Sequence, residues 1–80
     1  MSTQRVYWRS RRGMLELELL LLPFARSMFP VLSEPDQRAF ARLLDHDDWD
    51  IFDWLQQRAT PEDPDLARIV DRIRAFQPGI

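Results

Sequence analysis

A chain of 80 residues is long enough for one small domain, which typically takes ~50–250 residues. Its 45% hydrophobic, 11% aromatic and 30% charged residues, with two Gly and six Pro, fit a globular helical protein and exclude a disordered one. No Cys and one His, His46, exclude disulfides and thiolate zinc, and eleven Arg without Lys against thirteen acids give a net charge of −2, which argues against nucleic acid as partner.

Taken from the N-terminus, residues 3–12 are expected to form a first helix, ended by Gly13 at its C-terminal cap. Met14, Leu17, Leu21, Phe24 and Met28 then recur at spacings of three and four, which lays them along one side of a second helix. Leu15, Leu19 and Leu22 are expected to widen that stripe and make this the most enclosed helix. Pro23 removes a backbone donor and is expected to bend or locally break it. Pro30 closes the segment. Ser33 with Asp36 three residues later resembles a capping box, with Pro35 tolerated in the first turn. Phe40, Leu43 and Leu44 face inward from this third helix.

A break at Asp45–Asp48 leads into a short fourth helix capped by Asp47 or Asp48. Ile51, Phe52 and Leu55 face its interior and Trp54 is partly covered. Asp63 before Pro64 suits an N-cap followed by a first-turn proline. Leu66, Ile69, Val70, Ile73 and Phe76 make the last helix the cleanest amphipathic one, and Gln77–Ile80 are expected to fray. The expectation is an all-α fold, a single compact bundle of about five short helices forming one domain over residues 1–80.

Charge is unevenly placed. Residues 1–12 carry Arg5, Arg9, Arg11 and Arg12 without an acid, whereas Asp45 to Asp53 carry five Asp without an Arg. Such halves fit an adaptor with polar faces, and a solvated surface looks similar. The longest apolar run, Leu19 to Ala25, is far below the ~20 residues of a membrane span, and no secretory signal is visible. The Arg-rich start hints at a mitochondrial presequence but is short and merges into the patterned region. A mature, soluble, cytoplasmic protein without direct membrane insertion is expected.

Arg12-Gly13-Met14-Leu15-Glu16 is the most informative site. Gly13 is the only glycine before residue 79, and an internal glycine either adopts a backbone angle closed to other residues or admits a close approach. Arg12 offers a planar fork of donors and Glu16 an acceptor, while Tyr7 and Trp8 add aromatic area of the kind enriched at interaction hot spots. The plainer alternative is a helix cap with an intramolecular Arg12–Glu16 pair. The acidic stretch Asp45-His46-Asp47-Asp48-Trp49-Asp50 lacks the glycine and terminal Glu of a calcium loop, so no metal site is expected. Neither a nucleophile elbow nor a phosphate-cradling loop occurs, and a chain this short has little interior for an enclosed pocket. An enzyme is not expected.

Trp8-x-x-Arg11-Arg12-Gly13-Met14-x-Glu16-Leu17 resembles the N-terminal signature of the small FAD assembly factors of succinate dehydrogenase, whose hallmark is Arg-Gly-x-x-Glu. Leu43-Leu44-Asp45-x-Asp47-Asp48-Trp49-Asp50-Ile51-Phe52-x-Trp54-Leu55 is similar to that family's Asp-Asp-Pro-Asp-Leu-x-x-Trp-Leu segment, with Trp49 in place of the proline. Leu22-Pro23-Phe24 resembles its Met-Pro-Phe, and the likeness covers roughly residues 5–76. The resemblance implies a five-helix chaperone that binds the flavoprotein subunit of succinate dehydrogenase, and in bacteria fumarate reductase. Such a factor promotes covalent attachment of FAD to a histidine of that subunit. Arg12, Gly13 and Glu16 are implied as partner-contacting residues, with Arg5, Trp8 and Arg11 beside them. FAD would belong to the client and no cofactor would be held stably. A monomer is expected. The alternative reading is an antitoxin-like or regulatory protein-binding module, a label that members of the family have carried.

Overall fold

The computed structural model describes residues 2–76. Its elements are α1 (Thr3–Arg9), α2 (Leu15–Ser27), a 3₁₀ turn (Phe29–Val31), α3 (Glu34–Leu43), α4 (Asp48–Leu55) and α5 (Pro64–Ala75), with no strand among the described residues. Four helices start on a short polar side chain that accepts a first-turn backbone N–H: Ser2 from Arg5, Ser33 from Asp36, Asp47 from Asp50 and Asp63 from Asp65. Such caps satisfy donors that a helix start otherwise leaves unpaired. Helix α2 alone begins on an apolar residue, Met14, without a side-chain cap. Ser33 supplies only half of a capping box. The Asp36 carboxylate turns away to bond Arg68 at 2.7 Å and to pair with Arg72 at 3.8 Å, which clamps α3 onto α5.

The expected first helix over 3–12 is too long. It stops at Arg9, and Ser10 is its cap. Ser10 is fully buried, its N–H bonds the Val6 and Tyr7 carbonyls, and its hydroxyl donates to Val6 at 2.9 Å. The last two carbonyls, Trp8 and Arg9, accept from the Arg11 N–H and the Arg12 guanidinium, so the helix ends before any glycine is needed.

Helix α2 corrects two further expectations. It runs unbroken through Pro23. The Leu19 carbonyl, which loses its usual donor there, lies on an exposed residue and can be hydrated. The helix is also not enclosed on all sides. Leu17, Leu21, Phe24 and Ala25 are buried, but Leu15 and Leu19 are 66% and 61% exposed and Leu22 is half-buried. At ~100° per residue these three leucines sit ~140–200° around the helix from Leu17, on the far side.

The core is one cluster drawn from all five helices and the 3₁₀ turn, and it includes Phe40, Leu43, Leu44, Ile51, Leu55, Leu66, Ile69, Val70 and Ile73. Phe24 anchors it, 5.3 Å from Phe40 and edge-on to Phe76 at 5.7 Å, while Phe29 joins Phe40 at 5.9 Å. Phe52, Trp54 and Phe76 are half-buried at its margin. The radius of gyration, 11.3 Å, matches the ~11.6 Å expected of an 80-residue globule. Trp49 occupies the first turn of α4 and is exposed. Backbone N–H groups have no intrahelical partner at that position, so the helix start tolerates tryptophan in place of proline. The tail expected to fray, 77–80, lies outside the described residues. Among those residues no helix is long and apolar enough to cross a membrane.

Candidate functional site

Between α1 and α2 the chain makes a turn, Ser10 to Met14, and the residues singled out by sequence gather around it. On α1, Arg5 and Trp8 are three apart and share a face, and Arg11 continues the line just past the helix. Trp8 is 56% exposed, with the Arg11 guanidinium over its ring at 5.4 Å. A cation over an exposed indole contributes ~0.5–1 kcal/mol and holds the aromatic face in a defined orientation. Tyr7 points elsewhere: its hydroxyl accepts from Arg26 at 2.7 Å, and Arg26 lies over its ring.

Gly13 sits at φ +83°, a left-handed angle that other residues adopt only under strain. A methyl group built there would meet nothing within 4 Å, so the backbone angle requires the glycine and internal crowding does not. Its N–H donates to Glu18 at 2.6 Å, a reach-back that fixes the entry into the uncapped α2. The sequence does not mark Glu18 for that role, since the bond spans five residues and follows no capping pattern.

Arg12 and Glu16 part company. Glu16 is exposed on the first turn of α2, and its carboxylate joins no hydrogen bond or ion pair formed among the described residues. The Arg12 side chain is only 15% exposed and turns into the protein. Its Nε donates to Asp48 at 2.7 Å, Nη1 to the Leu44 carbonyl at 2.8 Å and the Arg9 carbonyl at 3.3 Å, and Nη2 to the His46 carbonyl. Four of the five guanidinium donors are therefore engaged. The intramolecular Arg12–Glu16 pair does not form. The acidic stretch answers the basic one within the same molecule: Asp45 pairs with Arg9, Asp48 with Arg12, and Asp47 caps α4. No group of three or more metal-ligating side chains forms among the described residues.

The exposed leucines extend the site. Glu16 and Leu19 are three apart on the outer side of α2, and Leu15 lies beside them. The result is a polar turn flanked by Trp8 on one helix and a leucine strip on the other. Surfaces of aromatic and apolar side chains rimmed by charge are suited to binding another protein. Nothing in the turn resembles an acid–base pair or a nucleophile with its base.

Comparison with known proteins gives the site a context. A family model described as flavinator of succinate dehydrogenase matches residues 4–77. An FAD assembly factor SdhE of Pseudomonas aeruginosa is 51% identical over 70 residues, covering 88% of this chain and 83% of the relative. That of Pseudomonas putida is 48% identical over 74 residues, covering 88% of each chain. The Pectobacterium atrosepticum protein of the same name is 41% identical over 73 residues, covering 91% of this chain and 83% of its own.

Proposed function

Since the chain belongs to the family of succinate dehydrogenase flavinators, we propose that it is an assembly factor that binds the flavoprotein subunit of succinate dehydrogenase, and of fumarate reductase, and promotes covalent attachment of FAD. The observation that carries the surface assignment is the outward turn itself. Gly13 holds a left-handed angle in open space, the Glu16 carboxylate has no partner among the described residues, and Trp8 and the leucine strip lie exposed on either side.

Attachment requires the flavin methyl carbon and the acceptor histidine of the client to be held in a reactive geometry. A rigid factor that binds one arrangement of the client's domains better than the others raises the population of that arrangement. Gly13 lets the client backbone come close and Glu16 supplies a charge-assisted acceptor. Trp8, Leu15 and Leu19 contribute apolar contact, with Arg5 and Arg11 at the rim. FAD belongs to the client, whose own active site performs the chemistry, so the factor is a chaperone and not an enzyme. It works in the cytoplasm, as a monomer. Arg9 and Arg12 are engaged by the acidic stretch, which supports a protein partner over nucleic acid.

In cells lacking the endogenous factor, the wild-type chain is expected to restore flavin fluorescence to the denatured dehydrogenase subunit. Glu16→Ala is expected to fold normally and leave the band dark. A fully fluorescent band with Glu16→Ala would remove the turn from the mechanism.

A further inference from the structure

We infer that Arg12 is a positioning residue. It does not touch the client but straps the α1–α2 turn to the α3–α4 connection, so that Gly13 and Glu16 are presented in one fixed conformation. The inference rests on the client-binding reading of the turn and assigns its most conspicuous cation an inward role.

The geometry carries the assignment. The Arg12 guanidinium bonds the carbonyl of Arg9 at the end of α1 and two carbonyls of the α3–α4 connection, Leu44 and His46, and its Nε reaches the Asp48 carboxylate at the start of α4. These partners lie 32 to 36 residues away along the chain, apart from Arg9. Helix α2 enters from this turn without a side-chain cap, and its Glu18 carboxylate accepts from the Gly13 N–H. Without Arg12 the turn would keep its buried first residue, Ser10, and the packing of Met14 on the core at its other end, while Arg11 to Gly13 between them would be held only by the Arg11–Trp8 and Gly13–Glu18 bonds and the neighbouring exposed Arg9–Asp45 pair. A planar fork satisfying carbonyls on two sides is specific to arginine, because an ammonium offers no such fixed fan of donors. A turn that is loose when free binds its partner with an affinity reduced by the fraction of time it spends in the competent shape.

The test compares Arg12→Lys, Asp48→Asn and Glu16→Ala, measuring affinity for the isolated client subunit alongside amide hydrogen exchange of the free proteins. Arg12→Lys keeps the charge and loses the fork. It is expected to weaken binding at least tenfold and to speed exchange at residues 13–17, with α5 amides unchanged. Asp48→Asn, which removes one acceptor charge and leaves the carbonyl bonds in place, is expected to shift both readouts the same way but less, and remains informative if Arg12→Lys fails to fold. The Arg12→Lys, Asp48→Asn double variant is expected to be weakened by less than the product of the two single effects. Wild-type affinity in Arg12→Lys would overturn the inference, as would weakened binding with unchanged exchange, which would mark a direct contact. Glu16→Ala serves as reference: if it binds normally, the client-binding reading of the turn fails instead.

Discussion

Arg12 and Gly13 are consecutive and face opposite ways, and the difference decides what a substitution at each does. At Gly13 the demand is on backbone angle alone, since the space where a side chain would go is open. An ordinary residue in the left-handed region costs roughly 1–2 kcal/mol, and asparagine costs less. Gly13→Asn is therefore expected to keep a melting temperature within a few degrees of wild type, while Gly13→Arg lowers it by about 4–8 °C for each kcal/mol of strain. Both are expected to abolish client flavinylation, because each puts a side chain where the client backbone must approach. Thermal melting by circular dichroism read beside in-gel flavin fluorescence checks the pair. Intact flavinylation in Gly13→Asn would mean that the glycine serves the turn's shape and nothing else.

At the scale of elements, the bundle is tied by acid–arginine contacts between α3 and α5. Asp36 is buried against Arg68 and Arg72, and Asp63 caps α5 while pairing with Arg42 on α3. The bond from the Asp65 N–H, followed by that from Arg42, holds the Asp63 carboxyl below its ordinary value of 3.8. Because the folded value lies below the unfolded one, the stability contributed by Asp63 is complete above pH 3.8 and is lost as pH falls through the folded value. Asp36→Ala removes a charged hydrogen bond from the same clamp and is expected to destabilise by ~1.5–3 kcal/mol at neutral pH, with affinity for the client unchanged. Chemical denaturation at pH 7 with a binding measurement checks it. A loss of client affinity by a folded Asp36→Ala would place α3 and α5 in the interface. The caps at Ser33, Asp47 and Asp63 and the inward faces of α3 and α5 were all legible in the sequence, since each depends on neighbours within a turn or two. The outer face of α2 was not. A run of leucines carries no polar contrast to mark which side meets solvent, so the spacing alone places Leu15, Leu19 and Leu22 with the interior stripe.

For the molecule as a whole, the sequence displayed a basic start and an acidic middle but not that they close on each other. Arg12 meets Asp48 across 36 residues, and no local pattern encodes a contact of that range. What was legible in the site is the turn and its glycine, a motif that is short and local; what was hidden is the inward fate of its arginine. Closing the two charged stretches together leaves Trp8, Gly13, Leu15, Glu16 and Leu19 exposed around the turn of a molecule measuring 28 × 26 × 22 Å, whereas Asp36 of the α3–α5 clamp is buried. The most direct test is the hydrogen-exchange footprint of the protein with and without its flavoprotein client. Slowed exchange concentrated in residues 8–20, with α5 from Pro64 to Ala75 unaltered, is the predicted result. Slowing confined to α3 and α5, with residues 8–20 unchanged, would contradict the account.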